Sequence, residues 1–470
     1  MKRRQDDGLW VMIAALIVVA TAIGLRVGTN ISDRGPVFDE RWISRPMADI
    51  VRKGWTVQTA IDFQETKGPA LIWPYAVWAQ ALGADQNEVV TDAAPGGGRG
   101  ADRPEAWQSH VPGGAVPAPP NMLSTLRLAS VAWFIVGGLL LLVLAHLCGV
   151  RGPPLVLVSL AYVLIPYQSV FGQLVMGEAS FITVAMAMLL VVCWGMGDGR
   201  RSRHRVLGPV LYGLLLVILL HSRIHAVAFA PAVCVVAWLR ENERSWPWWA
   251  ASIAAGLLRI PLWVRWDGLV SSDFQNLHGL GFRLDSLTYL GSALAVPLGI
   301  FLLMWLVKWR RDLLYWLPPL GVMLGVVLSI VAMPDLSVPE QLVLELEQDR
   351  FQGIAAKIVA VVGGDGIAAR AVMAVLCGLG LGGLGAVICL AHRTRLTLPA
   401  GVLLRIQSLA IGAGWLLYAF TRGFVFDRYL MVWCAALPLA YLLLLSRRML
   451  IAQLIALTVV TVELVMIWLV

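Results

Sequence analysis

At 470 residues, with 59% hydrophobic and only 14% charged side chains, the chain carries more apolar surface than a soluble fold of that length can hide. Its mean hydropathy of +0.75 agrees, and the composition reads as a polytopic membrane protein. The formal net charge of +8 comes without a clustered basic motif, which excludes nucleic acid as the expected partner.

In chain order, about thirteen apolar stretches approach the roughly 17–25 residues that a transmembrane helix needs. They cover 9–27, 123–148, 153–170, 179–196, 206–222, 225–239, 247–264, 288–307, 313–333, 366–391, 396–420, 429–446 and 449–469. The first follows the basic start Lys2-Arg3-Arg4 but is longer than a secretory h-region and lacks a small-residue cleavage site, so it reads as an anchor. After it, residues 28–121 form the longest polar segment. Trp42, Ile43, Met47, Ile50 and Val51 recur there at helical spacing and predict an interfacial amphipathic helix. A second apolar stretch, Pro69 to Leu82, carries Trp73, Tyr75 and Trp78, aromatics suited to the headgroup level. Residues 92–120 are rich in Gly and Pro without periodicity and read as a linker. A further polar loop, about 265–287, precedes the segment 334–365, where Phe351, Ile354, Ile358 and Val361 predict another interfacial helix.

Basic residues set the orientation. Lys2-Arg3-Arg4, Arg151, Arg200-Arg201, Arg203, Arg205, Arg240, Arg244, Lys308, Arg310-Arg311, Arg393, Arg395 and Arg447-Arg448 all fall on one side of the map and outnumber the acids there. The positive-inside rule puts that side, and the N-terminus, in the cytoplasm of a multi-pass, integral membrane protein. Cysteines 148, 193, 234, 377, 389 and 434 lie in or at the ends of apolar stretches, with no C-x-x-C or metal spacing, and read as small buried hydrophobes.

Charged residues at the opposite, outer side are candidates for chemistry, because charge at membrane depth is costly and faces a cavity or a partner. Asp39 and Glu40 form an acidic pair just beyond the first span, and Lys67 follows in an aromatic-rich segment. Glu178 sits in the short turn after 153–170, His221-Ser222-Arg223-Ile224-His225 in the turn after 206–222, and Arg428 at the start of 429–446. An acidic pair and a set of cations at a membrane mouth suit a lipid-linked anionic substrate: a carboxylate takes the acceptor's proton, and Lys or Arg holds a departing phosphate. His221 and His225 share a helical face but lack further ligands for a metal. Arg259, Arg370, Arg405 and Glu463 have no assigned role, and Arg405 with Gln407 reads as the deepest of these positions. Glycines from Gly378 to Gly385 suit close helix packing and lack the context of a nucleotide loop.

The order Phe38-Asp39-Glu40-Arg41-Trp42, Gly54-Trp55, Thr66-Lys67-Gly68-Pro69-Ala70-Leu71-Ile72-Trp73 and Leu126-Arg127-Leu128-Ala129-Ser130, with Phe426-Asp427-Arg428-Tyr429-Leu430 late in the chain, resembles the GT-C membrane glycosyltransferases. Within them it is similar to the protein O-mannosyltransferase and lipid A aminoarabinose transferase branch. That resemblance implies an all-α, GT-C-like transmembrane bundle over 1–470, with interfacial helices in the first extracytoplasmic loop. It implies transfer of a sugar from a polyprenyl-phosphate donor to a glycan, glycolipid or protein acceptor outside the bacterial cytoplasmic membrane. Asp39 would be the base of an inverting reaction, with Glu40 beside it, and Lys67, Glu178, Arg223, His225 and Arg428 would bind substrate. The branch generally works without a metal; some other members hold a divalent cation, for which Asp39, Glu40 or Glu178 would be the ligands. Around Lys67 the pattern departs from the family, which often has an acid directly before this Lys and a Pro directly after it; Thr66 and Gly68 stand there instead. The same residues are compatible with a transporter or flippase for a lipid-linked glycan, and with a non-catalytic relative.

The orientation is checked by cysteine-accessibility labelling. Thiols introduced in 28–121 and 334–365 are expected to react from outside and those in 197–205 and 308–312 from the cytoplasm; labelling near position 100 from the cytoplasm alone would invert the map.

Overall fold

Backbone in hydrocarbon has no water to bond, so each apolar run closes its hydrogen bonds within its own segment and becomes a helix. The computed structural model describes residues 2–29, 31, 40–63, 67–84, 120–197, 202–270, 280–308, 314–334, 351–361, 366–394, 396–420, 425–426 and 428–469. Asp39, nearly all of the Gly/Pro-rich stretch 92–120, and Asp427 lie outside the described residues.

The chain begins with α1 (Lys2–Gly28), then three helices of the first polar segment, α2 (Glu40–Lys53), α3 (Val57–Ala60) and α4 (Pro69–Ala81). The bundle continues through α5 (Pro120–Leu147), α6 (Pro154–Leu164), the single turn α7 (Gln168–Phe171), α8 (Glu178–Gly197), α9 (Ser202–Ser222), α10 (Phe229–Glu241) and α11 (Trp246–Trp266). It is completed by α12 (Leu284–Ala293), α13 (Ala295–Val307), α14 (Leu317–Val331), α15 (Ile354–Val361), α16 (Gly366–Arg393), α17 (Leu398–Leu417), α18 (Arg428–Met431), α19 (Leu437–Leu444) and α20 (Arg447–Trp468). Among the described residues seven helical segments are long and apolar enough to cross a membrane, eight with the bent pair α12–α13, and three shorter apolar helices accompany them. The protein is an integral, multi-pass membrane protein.

Prolines mark where the helices break. The expected run 153–170 stops at Leu164 because Ile165 precedes Pro166, and Tyr167 then adopts a left-handed φ of 65°. In α12–α13 the ring of Pro297 would collide with the carbonyl of Ala293, and the axis bends there by 70°.

The amphipathic face of α2 is buried: Ile43, Met47, Ile50 and Val51 pack toward α4 and α5. The loop expected at 334–365 contributes α15 and, ahead of it, Phe351–Gln352, which pairs in parallel with Val425–Phe426. That two-residue ladder is a small exception to the all-α expectation, and it ties this loop to the chain entering Arg428. The glycines of α16 act as packing surface. A Cβ on Gly380 would run into the Gly291 carbonyl, one on Gly383 into the Leu298 carbonyl, and Gly325 of α14 meets the Gly378 backbone.

Gly380→Ala is therefore expected to lower the melting temperature in detergent by the equivalent of about 1–3 kcal/mol of overpacking. Gly401→Ala, where nothing stands within 4 Å of the added Cβ, is the control and should leave it unchanged or slightly raised.

Candidate functional site

Every residue from Ile165 to Thr183 is buried, although 172–177 is irregular backbone. Such a segment needs polar groups satisfied from neighbouring elements, and the partners it draws in include two of the candidate site residues, Glu40 and Arg223. The Leu174 carbonyl accepts from Ser130 Oγ (2.8 Å), and the Val175 N–H donates to Glu40 Oε1 (2.7 Å). The Met176 carbonyl accepts from Arg223 Nη2 (3.1 Å), and the Gly177 carbonyl from Ser180 Oγ (2.9 Å). From Gln173, Nε2 reaches back to the Ala22 carbonyl of α1 (2.9 Å).

Glu40 opens α2 and is fully buried with Arg127 of α5. Arg127 grips it as a fork, Nε to Oε1 at 3.0 Å and Nη2 to Oε2 at 2.5 Å, while Nη1 donates to the Ile31 carbonyl. Both carboxylate oxygens of Glu40 are thus committed within the protein. Its neighbour Asp39, the residue the sequence marks as base, lies outside the described residues.

Glu178 begins α8, and its Oε1 accepts from Arg223 Nη2 at 2.6 Å. This buried pair is incompletely used: Glu178 Oε2 and Arg223 Nε meet no hydrogen-bond partner among the described residues. Arg428 approaches the same turn, with Nη1 3.7 Å from Met176 Sδ and its guanidinium over the Tyr429 ring. His225 stacks on Tyr418 (centroids 4.8 Å apart, 21° between planes), and Tyr418 lies parallel to Tyr429 at 5.9 Å. Tyr418 is within electrostatic reach of Arg223, Glu178 and Arg428, so the three rings and the three charges form one wall.

The Lys67 segment meets this wall from the other side. The Gly68 N–H donates to the Ser222 carbonyl (2.8 Å), directly before Arg223. A Cβ on Gly68 would strike the His221 carbonyl and lie 2.9 Å from Arg259 Nη1, which gives the glycine beside Lys67 a steric reason. Lys67 is buried at 8% exposure, and Arg259 at 1% is deeper still. Arg259 Nε and Nη1 meet no hydrogen-bond partner among the described residues, and the guanidinium lies 5.2 Å from the Trp266 ring centroid.

Trp266 in turn donates to the Ile61 carbonyl (3.0 Å) and meets Phe63 edge-on. The adjacent Arg265 forms a two-point pair with Asp62, Nη2 to Oδ2 at 2.6 Å. The hydrogen bond from Arg265, aided by its charge, holds the Asp62 carboxyl below the ordinary carboxylate range.

The structure therefore brings together Glu178, Arg223, His225 and Arg428 around the 172–177 turn, with Lys67 alongside, and it joins Glu40 to the far flank of that turn. His221 and His225 do not form a pair: His221 Nδ1 faces the Val217 carbonyl at 2.9 Å, whereas His225 joins the aromatic stack. Among the described residues no group of three or more His, Cys, Asp or Glu side chains is placed to hold a metal. Of the unassigned charges, Arg405 is exposed, contrary to its expected depth, as are Arg370 and Glu463, while Gln407 is buried. Arg259 is the buried one. Its signal was in the sequence: Ala255, Arg259, Leu262 and Trp266 recur at helical spacing on the face of α11 that the bundle buries, whereas Leu258 and Val264 are exposed.

No protein-family model and no curated protein sequence matches the chain. Among solved structures it is similar to ArnT from Cupriavidus metallidurans, in the apo state and bound to undecaprenyl phosphate. The alignments have 13% and 14% identity, cover 97% and 95% of this chain and 76% and 77% of the other, and give TM-scores of 0.40 and 0.39. Likeness at that level carries no argument about activity, and the functional reading rests on the residues of the site.

The Asp62–Arg265 pair has a defined pH signature. Because the folded carboxyl is held below its ordinary value of 3.8, its contribution is fully present above that value and is lost as pH falls through the lower, folded one. Melting temperatures of the wild type and Asp62→Asn are expected to differ at pH 6 and to converge below about pH 4; a constant difference across that range would mean that Asp62 titrates normally.

Proposed function

We propose that this chain is a membrane glycosyltransferase that moves a sugar from a polyprenyl-phosphate donor to an acceptor at the outer membrane surface. The observation that carries the reading is Arg259, a buried cation with two guanidinium nitrogens unsatisfied by any described residue, set against Gly68, the neighbour of Lys67, where that glycine meets the His221 carbonyl. A bare charge at that depth costs several kcal/mol unless an anion meets it. A lipid phosphate is an anion that reaches such a place from the bilayer, and a guanidinium offers it a planar, two-point contact.

The chemistry follows from where charge develops. The acceptor's oxygen or nitrogen attacks the anomeric carbon opposite the phosphate, the bond from that carbon to the phosphate oxygen breaks, and configuration inverts. Asp39 takes the acceptor's proton, because Glu40 has both oxygens engaged by Arg127 and Val175. Negative charge grows on the leaving phosphate, where Lys67 and Arg259 stabilise it. Arg223, oriented by Glu178, and Arg428 supply the adjoining cationic wall, and the half-buried rings of His225 and Tyr429 give the sugar an apolar face. The resemblance of residues 36–73 and 126–130 to the GT-C pattern supports the same assignment.

Purified protein in nanodiscs, given synthetic polyprenyl-phosphate sugars, tests the reading by mass spectrometry of the products. Asp39→Asn is expected to bind donor normally and to lower the single-turnover rate about 10²–10⁴-fold. Arg259→Gln should weaken donor binding and also slow the chemical step, because its partner gains charge in the transition state. Near-normal turnover in Asp39→Asn rules that residue out as base, and wild-type donor binding and rate in Arg259→Gln remove the phosphate contact.

A further inference from the structure

Buried Arg127 and Arg223 each face a carboxylate, whereas Arg259 has a neutral ring in that place. The ring is Trp266, about two helical turns further along α11, with its centroid 5.2 Å from the guanidinium carbon. Resting on the reading of Arg259 as a phosphate contact, we infer that Trp266 is a positioning residue: its ring holds the Arg259 guanidinium in the site while leaving N–H donors for the anion.

The local structure sets up this contact. Side chains on a helix lean toward its N-terminus, so Trp266 tilts back over the turn that separates it from Arg259. Trp246 and Trp249 of the same helix are exposed, as aromatics at a membrane surface are, but Trp266 is 5% exposed and faces inward. Its indole N–H donates to the Ile61 carbonyl at 3.0 Å, and Phe63 meets its ring edge-on at 6.2 Å between centroids. The ring is thus held from outside α11 as well as by the helix, and a ring so held can hold the cation against it.

A ring suits this task better than an acid. An aromatic face attracts a cation by its charge, without accepting several of its N–H groups as a carboxylate does. Glu40 shows the alternative, since it takes both Nε and Nη2 of Arg127. A carboxylate at position 266 would saturate Arg259 in the same way. With the ring there instead, Arg259 Nε and Nη1 meet no hydrogen-bond partner among the described residues. An arginine already held in place also loses less side-chain freedom when an anion binds, and that difference appears as affinity.

Binding of synthetic polyprenyl phosphate in nanodiscs, normalised to folded protein, tests this with Trp266→Leu, Arg259→Gln and the double variant. Trp266→Leu is expected to bind about 10-fold more weakly. It should add no further loss once Arg259 is replaced, because the ring then has no cation to hold. Losses that multiply in the double variant show that Trp266 acts apart from Arg259 and overturn the inference, as does wild-type affinity in Trp266→Leu. Where Trp266→Leu does not fold, Trp266→tetrafluorotryptophan keeps the shape and the N–H but removes the negative charge of the ring face. A several-fold loss of affinity that vanishes in the Arg259→Gln background supports the inference; an unchanged or raised affinity, or a loss that persists there, overturns it. No binding by the wild type, or wild-type binding in Arg259→Gln, overturns the phosphate contact and this inference together. A weakened Arg259→Gln beside an unaffected Trp266→Leu overturns the inference alone.

Discussion

The six residues 172–177 are buried without regular hydrogen bonding, and the arrangement of the site follows from that constraint. A helix at this depth would satisfy its own backbone, but this turn does so only in part, through the N–H groups of Gly172, Gln173, Leu174 and Met176. Its carbonyls and N–H groups recruit Ser130 from α5, Glu40 from α2, Arg223 from the end of α9 and Ser180 from α8. The donors and acceptors needed to keep the turn folded are thus the means by which three distant parts of the chain, α2, α5 and the end of α9, converge on it. The same low dielectric that makes an unsatisfied group costly there also strengthens every contact the turn makes.

Burial alone does not separate structural charges from chemical ones in this bundle; saturation does. Glu40 and Arg127 are fully enclosed and matched oxygen for nitrogen, so removing one partner leaves a bare charge at a cost of about 3–5 kcal/mol. Glu178 and Arg223 are almost as buried but keep one oxygen and one nitrogen unmet among the described residues. Arg259 has no ion pair among the described residues to match these two, and its contact with Trp266, an interaction of about 2 kcal/mol when desolvated, compensates only part of the desolvation. Among the described residues the series runs from satisfied to unsatisfied as it moves from α2 and α5 toward α11, and the unsatisfied end is where an anionic ligand gains most.

Much of the fold was legible in the sequence because hydrocarbon enforces a simple rule on apolar runs, and the expected stretches all contain helix. The packing role of the glycines near Gly380 was legible as well, whereas the breaks at Pro166 and Pro297 were not expected, because 153–170 and 288–307 read as continuous apolar runs. Sequence could not pair Glu40 with Arg127, which are 87 residues apart, because a fork between two helices leaves no local pattern. It also misjudged depth. Arg405 and Arg259 are both flanked by leucine or isoleucine, yet Arg405 falls in the one exposed phase of a helix where Leu404, Ile406 and Gln407 are buried. For Arg259 the helical phase with Trp266 held the answer, and apolar flanks alone did not. The aromatic wall was missed for a different reason: Tyr418 follows α17 and Tyr429 lies in α18, and they become neighbours of His225 only through the packing of α17 on the turn after α9.

The separation of Lys67 and Arg259 is set by elements that are tied to one another more than once. Ile61, Asp62 and Phe63 are fastened to Trp266 and Arg265 at the end of α11, and Gly68 is fastened to Ser222 at the end of α9. Those two helices are themselves joined along their length, where Gly213 lets Ala251 approach and Tyr212 Oη meets Ser252 Oγ at 2.8 Å. Any change in the distance between α9 and α11 would therefore strain the short segment from Asp62 to Gly68 at both of its fastenings. A cation on a free loop could follow a ligand and would discriminate little between a substrate and a transition state. Two cations carried by doubly fastened elements hold their spacing, so in the proposed transfer their field would already be in place as charge develops on the leaving phosphate, with little of the interaction spent on rearrangement.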